Sequence, residues 1–340
     1  MDKQTLLSHL SPDIEQIDAA MTAEFAAIGS PKLAMVVRHA IFNGGKRIRP
    51  LLTMLTARLA TYSNMPEGLA SEEDLTPPSD LYRLAMVFEL LHGASLLHDD
   101  VIDHAELRRG TTTAHAKWGK EVAILAGDYL HTRAMTLAGT IGNSRCLDLI
   151  GSATAAMIDA EFLQALAQEE QDPREETYFA ILRGKTGALI SSACEVGAIF
   201  AEASPEQRQA LRTYGDGLGL AFQMVDDLLD YQGDPERTGK EVGNDFQEGK
   251  MTLPLLHALD NSPAEQRQFL LELLAAGAGE RQEKFARARE IISEAGGFSY
   301  TREGAEALID AALEALAIFP ECQAKETLSN LGHYVLSRDK

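Results

Sequence analysis

Hydrophobic and polar residues follow each other along most of this chain with the period of an α-helix. Apolar positions recur three or four residues apart, and the pattern breaks at prolines, glycines and short polar runs, which are the usual ends of helices. The pattern predicts a series of helices joined by short connections. Their expected ranges are Leu6 to Ile28, a second helix opened by Pro31, Pro50 to Tyr62, Leu81 to Val101, Val122 to Ile141, Cys146 to Gln168, Glu175 to Phe200, Pro205 to Tyr231, Leu253 to Leu259, Ala264 to Ala276, Arg281 to Ala295, and Thr301 to the C-terminus.

The breaks in this pattern favour one all-α domain. No alternating segments joined by a two-residue turn lie between the helices, so the sequence predicts no sheet. The longest break, residues 63–79, contains Pro66, Gly68 and Pro77 with an acidic cluster between them. Helical periodicity resumes directly after it, which favours an exposed loop over a linker. We therefore expect a single domain over residues 1–340.

Composition supports helices and narrows the possible partners. The chain is rich in Ala and Leu, with 12 prolines and 6% aromatic residues, so helix formers outweigh strand formers. The formal net charge is −20, from 51 acidic and 31 basic residues. Such a surface repels nucleic acid and anionic lipid. An anionic substrate therefore needs a local basic site or bound cations.

The cysteines and the apolar runs indicate the compartment. Cys146, Cys194 and Cys322 are widely separated and odd in number, which argues against a disulfide framework or a zinc site. The N-terminus does not have the pattern of a signal sequence. No apolar run is long enough to span a bilayer. We expect a cytoplasmic protein without stable membrane insertion.

Asp99, Asp100 and Asp103 close the strongly apolar helix that is predicted to end near Val101. Asp99 and Asp103 are four residues apart, so their carboxylates project from one helical face. Carboxylates this close repel one another unless something neutralises them, and oxygen ligands alone favour magnesium over zinc. The dipole at a helix C-terminus also favours a cation. The spacing therefore predicts a Mg²⁺ site.

A second cluster, Asp226, Asp227 and Asp230, repeats this spacing among apolar neighbours in the predicted helix from Pro205 to Tyr231. A single motif of this kind is usually a helix end that meets solvent. Two such motifs in hydrophobic helices are better explained by magnesium ions held between facing helices across a cavity. There the ions would bridge to substrate phosphates, since Mg²⁺ keeps few protein ligands.

Several basic residues could pair with the anion that these clusters would bind through metal. Lys46, Arg47 and Arg49 are packed between a glycine pair and Pro50, where glycine lets backbone amides approach an anion and arginine offers a planar fork to phosphate. A solubilising loop is the simpler explanation, but it is weak in so acidic a chain. Further basic residues follow the first cluster, interrupt an apolar helix and flank the loop after the second cluster: Arg108, Arg109, Lys185, Lys240 and Lys250.

His92 lies seven residues before Asp99, two turns back on nearly the same helical face. A lone histidine there is more often a hydrogen-bonded core residue. Its place between the aspartates and the basic loop favours a diphosphate contact instead.

Together these motifs closely resemble those of the trans-isoprenyl diphosphate synthases, the polyprenyl synthetase family. The matching stretches come in the family's order and spread over most of the chain. They are GGKRIRP at 44–50, ELLHGASLLHDDVIDHAELRRG at 89–110, GDYL at 127–130, KTGALI at 185–190, FQMVDDLLD at 222–230 and GNDFQEGKMTLP at 243–254.

The resemblance implies an all-α bundle around a deep central cavity, a homodimer, and a Mg²⁺-dependent condensation of an allylic diphosphate with isopentenyl diphosphate. By the family pattern, the Mg²⁺ ligands are Asp99, Asp103 and Asp226, with Asp100, Asp227 and Asp230 in support. The isopentenyl diphosphate site would comprise Lys46, Arg49, His92 and Arg109. The allylic diphosphate site would comprise Arg108, Lys185, Thr186, Gln223, Lys240 and Lys250.

The same resemblance gives roles in the chemistry. The metals and cations stabilise the departing diphosphate, so that the allylic C–O bond ionises. Oxygen atoms of Gln223, Thr186 and the Lys185 carbonyl stabilise the resulting cation. The catalytic group is therefore expected to comprise Asp99, Asp103, Lys185, Thr186, Gln223 and Asp226, with the released diphosphate as the base.

Product length should depend on what blocks the cavity behind the first aspartates. Ala94 stands five residues before Asp99, where short-chain members of the family carry a bulky aromatic, and Ser95 is also small. Leu91 is of moderate size, and Met135 on a later helix is a candidate floor. The open positions resemble long-chain bacterial synthases that make quinone side chains, with octaprenyl as the expected product.

Four alternatives remain at this point. A short-chain farnesyl or geranylgeranyl diphosphate synthase would keep every motif and stop earlier. A class I terpene cyclase usually lacks the basic loop and the second complete motif. A non-catalytic partner subunit tends to lose aspartates or basic contacts, and a plain helical bundle leaves the paired clusters unexplained.

Overall fold

Nearly all of the regular structure is α-helical, as the sequence predicts. The computed structural model describes residues 3–66, 77–233 and 242–338. Within these ranges, no helix combines the length and apolarity needed to cross a membrane. The helices are α1 (Lys3–Ala26), α2 (Pro31–Phe42), α3 (Ile48–Ser63), α4 (Ser79–Ile102), α5 (Ala114–Trp118), α6 (Lys120–Ile141), α7 (Ser144–Glu170), α8 (Glu175–Leu182), α9 (Ala188–Phe200), α10 (Pro205–Gln232), α11 (Asn244–Glu248), α12 (Leu253–Asn261), α13 (Ala264–Ala275), α14 (Ala278–Glu283), α15 (Phe285–Glu294), α16 (Gly297–Ala315) and α17 (Gln323–Leu336).

Three predicted helices are interrupted. A π-helical segment, Arg183–Gly187, separates α8 from α9 in what the pattern presents as one helix. The last predicted helix is two helices, because a 3₁₀ turn at Leu316–Ile318 leads to Pro320, which cannot continue a helix. The predicted Arg281 to Ala295 helix is divided between α14 and α15. The predicted loop at 63–79 begins where α3 ends and finishes where α4 begins, although residues 67–76 lie outside the described ranges.

A small hairpin follows α4, where the sequence predicts no sheet. Strand β1 (Leu107–Arg108) pairs antiparallel with β2 (Thr111–Thr112). The turn residues Arg109 and Gly110 have φ values of 51° and 75°. Two successive left-handed residues are typical of a type I′ turn, for which Asn-Gly is the usual sequence. Arginine replaces the usual asparagine at the first turn position here, so the sequence pattern did not indicate a hairpin.

The chain divides into two compact units, each built from separated segments. The first comprises the described parts of Met1–Thr154, Ser192–Arg212 and Ile318–Leu328. The second comprises those of Ala155–Ser191, Thr213–Ala317 and Ser329–Lys340. Each unit carries one aspartate motif and is described by itself. The single domain and its central cavity stay predictions.

In the first unit, α4 packs against α1, α3 and α6. Leu84, Val87 and Phe88 on α4 are completely buried, so the apolar character of this helix reflects contacts on most of its sides. The approach of α6 depends on Gly127, because a Cβ atom there would lie 2.3 Å from His98 Nε2. This close packing fixes the C-terminal half of α4, which carries the first motif.

In the second unit, aromatic side chains pack around the end of α10. Tyr231 is completely buried and stacks on Phe285 with ring centroids 5.9 Å apart, and Phe246 of α11 meets both rings edge-on or tilted. Leu228, one turn earlier on α10, belongs to the same core. The core therefore fixes the helix on which the second motif lies.

Candidate active site

The first aspartate motif forms the C-terminal end of α4. The backbone N–H of Asp103 donates to the carbonyl oxygen of Asp99 at 2.8 Å, which closes the last turn. Asp99 is half-buried and Asp103 is exposed. Both carboxylates thus lie beside the negative end of the helix dipole, a place that favours a cation.

The inner carboxylate of this motif, Asp100, has a protein cation as its partner. It is buried, and Arg108 Nε donates to its Oδ1 at 2.6 Å. Arg108 belongs to β1, so the pairing anchors the hairpin to α4. The base of the hairpin is closed where the Thr113 hydroxyl donates to the carbonyl oxygen of Ala105 at 2.7 Å.

The residues of the basic loop differ in burial. Arg47 is buried, with Nε 2.8 Å from Asp18 and Nη1 2.8 Å from Glu89. It also donates to the carbonyl oxygen of Ile41 at 3.0 Å. Arg47 therefore fixes the loop in place, while Lys46 is exposed.

Arg49, His92 and Arg109 form a basic group whose charge is only partly balanced. The buried Nε of Arg49 makes no hydrogen bond to any described residue. Burial lowers the pKa of Arg49, Glu89 opposes this shift, and Arg109 adds to it. Burial also lowers the pKa of His92 well below its usual value, and the neighbouring arginines lower it further. A neutral histidine beside an unsatisfied guanidinium can accept an anion.

Arg109 is held by the loop it faces, since its Nη1 donates to the carbonyl oxygen of Gly44 at 2.6 Å. The structure therefore brings together three of the four residues predicted to bind isopentenyl diphosphate. Lys46 belongs to the same loop.

The chain-length residues lie on two helices of the first unit. Ala94 and Leu91 are buried on α4, and the Ser95 hydroxyl donates to the carbonyl oxygen of His92 at 2.9 Å. Met135 on α6 faces α7, because a Cβ atom added at Gly151 would meet its methyl group at 3.8 Å. A cavity of about 680 Å³ lies elsewhere in this unit, and its lining includes none of the four. The predicted tunnel thus stays a prediction.

The second motif begins with Asp226 on α10, which has a cation from the C-terminal segment as a neighbour. Arg338 Nη1 lies 2.7 Å from Asp226 Oδ1. This nitrogen makes no well-aligned hydrogen bond to a described residue, so the contact is an ion pair only. The guanidinium carbon also lies 4.1 Å from the centre of the Phe222 ring, a cation–π distance.

Asp227, the inner carboxylate of this motif, has neutral partners. It is buried, and it accepts hydrogen bonds from the Tyr178 hydroxyl at 2.7 Å and from Gln223 Nε2 at 3.1 Å. The Thr186 hydroxyl in turn donates to Gln223 Oε1 at 3.3 Å. Burial raises the pKa of Asp227 to about 8, and nearby Asp245 contributes to the rise.

Asp230 caps the helix that follows. Its carboxylate accepts the backbone N–H groups of Asn244 at 3.2 Å and Asp245 at 3.0 Å, at the start of α11. Burial, followed by the charge of Asp245, raises the pKa of Asp230 to about 6. Lys250 Nζ lies 2.8 Å from both Asp245 and Glu248, so it balances part of this acidic group.

The remaining predicted residues of the allylic site lie on the π-helical segment or outside the described ranges. Lys185 Nζ lies 2.7 Å from Glu161 and 3.1 Å from the side-chain oxygen of Gln164. Thr186 is buried beside Gln223. π-Helical turns inside α-helices occur frequently at functional sites. Lys240 lies in residues 234–241, which the structure does not describe.

Three residues at the site were missed by the sequence analysis. Tyr178 contacts Asp227, Arg338 pairs with Asp226, and Asp245 contributes to the raised pKa values of the second motif. Tyr178 and Arg338 stand outside the matching stretches. Asp245 lies within one, but a lone aspartate in a polar loop has no spacing that would single it out.

The carboxylates suit a hard divalent cation. Within the described ranges, no three His, Cys, Asp or Glu side chains already form a group that could hold a metal. Mg²⁺ is usually bound through one or two protein carboxylates, water and substrate phosphates. Asp99, Asp103 and Asp226 are carboxylates of the type that such a site uses. Asp100 and Asp227 accept hydrogen bonds from Arg108 and Tyr178, and Asp226 has Arg338 as a neighbour.

Comparison with known proteins supports the resemblance to the polyprenyl synthetase family. The sequence profile described as "Polyprenyl synthetase" matches residues 30–292. The octaprenyl diphosphate synthase of Escherichia coli (strain K12) is 36% identical over 302 residues, which cover 89% of this chain and 88% of that protein.

Solved structures of other proteins have a similar fold over almost the whole length of this chain. A decaprenyl diphosphate synthase from Rhodobacter capsulatus gives a TM-score of 0.86 at 35% identity and covers 99% of both chains. A polyprenyl synthase from Caulobacter crescentus CB15, complexed with calcium and isoprenyl diphosphate, gives 0.85 at 35% identity and covers 98% of this chain and 97% of that one. These matches confirm the predicted fold class, the all-α isoprenoid synthase type.

Proposed function

This chain belongs to the polyprenyl synthetase family, and from that premise we propose that it is a Mg²⁺-dependent trans-prenyltransferase. It condenses an allylic diphosphate with isopentenyl diphosphate and repeats the reaction to give a long-chain, all-trans polyprenyl diphosphate. Octaprenyl diphosphate, a precursor of quinone side chains, is the expected product. The relatives named octaprenyl and decaprenyl diphosphate synthase support a long product over a short one.

The observation that carries the proposal is that an acidic and a basic group lie two turns apart along α4. At its C-terminal end α4 carries Asp99, and two turns earlier it carries His92, beside Arg49 of α3, whose Nε makes no hydrogen bond to a described residue. Carboxylates can hold a hard cation, and the basic group can hold a diphosphate. A structural bundle has no need for a buried arginine Nε without a hydrogen bond, because such a group costs free energy in the folded state.

The residues of the second unit suit the ionisation step. The allylic C–O bond breaks and its electron pair leaves with the diphosphate, whose charge Lys185 stabilises. Mg²⁺ held by the aspartates would supply further stabilisation of that charge. The double bond of isopentenyl diphosphate forms the new C–C bond with the allylic cation. A proton is then lost to the released diphosphate, which regenerates an alkene. Oxygens of Gln223, Thr186 and the Lys185 carbonyl stabilise the cation.

The test is a product assay with purified protein, Mg²⁺, labelled isopentenyl diphosphate and farnesyl diphosphate. A ladder that ends well beyond twenty carbons supports the proposal. Products that stop at fifteen or twenty carbons would identify a short-chain synthase. Cyclic hydrocarbon without chain extension would favour a cyclase, and no turnover until a second protein is added would favour a partner subunit.

Product length is tested by Ala94→Phe. Ala94 is buried on α4, five residues before Asp99, and if the tunnel passes it, an aromatic ring there should block the growing chain. We expect the main product to shorten by several isoprene units, since one helical turn of about 5.4 Å is close to the length of one unit. Ala85→Phe, a buried change on the same helix, serves as the control for packing damage. An unchanged ladder would place the tunnel elsewhere.

The proposal includes a homodimer in a cytoplasmic setting. Ile158, Phe162 and Leu166 form an exposed apolar row at four-residue spacing on α7, with Phe162 75% exposed, and such a row supports burial against another chain. The three cysteines are free, which fits a reducing compartment. Sedimentation analysis measures the oligomeric state.

A further inference from the structure

Tyr178 ends a chain of hydrogen bonds that leads to the proposed cation-stabilising oxygens. Its hydroxyl donates to Asp227 Oδ2 at 2.7 Å, Gln223 Nε2 donates to Asp227 Oδ1 at 3.1 Å, and the Thr186 hydroxyl donates to Gln223 Oε1 at 3.3 Å. We infer that Tyr178 is a positioning residue, which fixes Asp227 so that Gln223 presents its amide oxygen rather than its amino group beside Thr186.

The direction of the Gln223 amide depends on Asp227. A glutamine side chain has a donor end and an acceptor end of nearly equal shape. While Asp227 is ionised, reversal would place the amide oxygen 3.1 Å from a carboxylate oxygen, where two acceptors repel. The hydroxyl of Thr186 can donate or accept, so it would tolerate either direction. The carboxylate is therefore the group that determines the orientation.

Tyr178 determines the orientation of that carboxylate. The terminal torsion of an aspartate is broad, and Gln223 alone would leave the second oxygen of Asp227 free to rotate away. The Tyr178 hydroxyl holds this oxygen from α8, while Asp227 and Gln223 lie one turn apart on α10. Tyr178, Asp227 and Thr186 are each at least nine-tenths buried, so the hydrogen bonds are shielded from water.

The consequence for the reaction rests on the proposed function. Positive charge develops on the allylic carbon as the C–O bond breaks. Oxygen dipoles lower the energy of that charge, and the N–H groups of a reversed amide would raise it. Tyr178 thus affects the ionisation step without touching substrate. Binding of either diphosphate does not depend on this orientation.

A satisfied core tyrosine is the simpler alternative, and the second unit contains a matched control. Tyr231 is completely buried on α10, and its hydroxyl shares a hydrogen bond of 3.0 Å with Thr252. Thr252 has no assigned role in the site. Tyr231→Phe therefore removes the same hydroxyl group from the same unit without altering the Gln223 amide.

The experiment compares single-turnover rates of condensation, which exclude slow product release. We expect Tyr178→Phe to lower this rate about 10-fold to 100-fold, the size of a lost electrostatic contribution, with KM for both substrates within about threefold. Tyr231→Phe should stay within about threefold of the unmodified enzyme. In a Gln223→Ala background, Tyr178→Phe should have no further effect, because the two changes remove one interaction.

Each outcome decides the inference. A rate for Tyr178→Phe within threefold of the unmodified enzyme would overturn it, and so would an equal loss in the Gln223→Ala background. If Tyr178→Phe does not fold, Asp227→Asn takes its place, since the asparagine amide can present an N–H group to Gln223 and so permit the reversed orientation. A rate unchanged by Asp227→Asn would overturn the inference. An unmodified enzyme that forms no prenyl product would overturn the proposed function, and this inference with it.

Discussion

The two aspartate motifs have the same spacing but different surroundings. In the first unit, the inner carboxylate Asp100 is paired with the guanidinium of Arg108 at 2.6 Å. In the second unit, the inner carboxylate Asp227 accepts hydrogen bonds from a phenol and an amide and lies near Asp245. The spacing determines which carboxylates share a helical face. The packing around each helix determines how their charge is balanced.

The outer carboxylates differ as well. Asp99 and Asp103 stand at the end of α4, whereas Asp226 lies within α10 and has Arg338 as a neighbour. The first motif thus presents its outer carboxylates at a helix terminus. The second holds its first carboxylate against a protein cation and its inner carboxylate in the core. Similar sequence motifs can therefore have different resting charge and different tolerance to substitution.

The largest expected effect comes from the outer aspartates, which test whether the two motifs are equally necessary. Asp99→Ala and Asp226→Ala should each lower turnover about 10³-fold, because loss of a metal ligand removes several kcal/mol of charge stabilisation. Asp80→Ala, an exposed change on α4, is the control. Steady-state rates over a range of Mg²⁺ concentrations provide the measurement. If either aspartate variant kept a tenth of the activity, its motif would not be a required metal site.

The next effect is on the free energy of unfolding, and it distinguishes the inner carboxylate Asp227 from its counterpart Asp100. The pKa of Asp227 is raised to about 8 from an ordinary 3.8, so between pH 4 and 8 the folded protein keeps a proton that the unfolded chain has released. The free energy of unfolding must then fall as pH rises through this range. Without metal, we expect Asp227 to contribute a fall of about 5 kcal/mol over this range. Asp230, raised to about 6, adds a smaller fall at lower pH.

Asp227→Asn should remove that part of the pH dependence and stabilise the metal-free protein near pH 8. Urea unfolding at several pH values measures the effect. Asp100→Asn is the matched change in the first motif, and it should lower stability because it removes the partner of Arg108. Parallel curves for Asp227→Asn and the unmodified protein would contradict the assignment of the proton to this carboxyl group.

The sequence could predict the helices and the identity of the motifs, because both depend on local spacing. The helical period gives most of α1 to α13 within a few residues, and the Asp99 and Asp103 pair follows from one helical turn. The π-helical segment and the hairpin were harder to predict. The π-helical segment at Arg183–Gly187 carries no proline, and the hairpin turn at Arg109 uses a residue that is rare there.

The partners of the motifs could not be predicted, since they come from distant parts of the chain. Tyr178 meets Asp227 across 49 residues, and Arg338 meets Asp226 from the C-terminal segment. Neither contact leaves a periodic signal in the sequence. The distinction between Arg47 and Arg49 is of the same kind, because only folding shows that Asp18 and Glu89 neutralise the former.

A smaller effect is expected when Arg108, the arginine paired with Asp100 of the first motif, is replaced. Arg108→Ala leaves Asp100 buried without its charged partner, and we expect a loss of about 2 kcal/mol in the free energy of unfolding, reduced from the buried-pair range because Arg108 is partly exposed. Arg83→Ala breaks an exposed pair with Asp80 and should cost about 0.3 kcal/mol. Urea unfolding at neutral pH measures both. Equal losses would mean that Asp100 does not depend on Arg108.

The smallest effect concerns metal affinity at the second motif. A metal ion that binds Asp226 must displace Arg338, whose ion pair is poorly aligned and worth about 1 kcal/mol or less. Arg338→Met keeps apolar contact with Phe222 and removes the charge, so the affinity for Mn²⁺ without substrate should rise about threefold. Electron paramagnetic resonance of free Mn²⁺ measures it, with Arg83→Met as the control. The gain should vanish in an Asp226→Ala background. A gain that persists there would mean that Arg338 acts on the metal through some other carboxylate, and the contrast between the outer ligands of the two motifs would lose its basis.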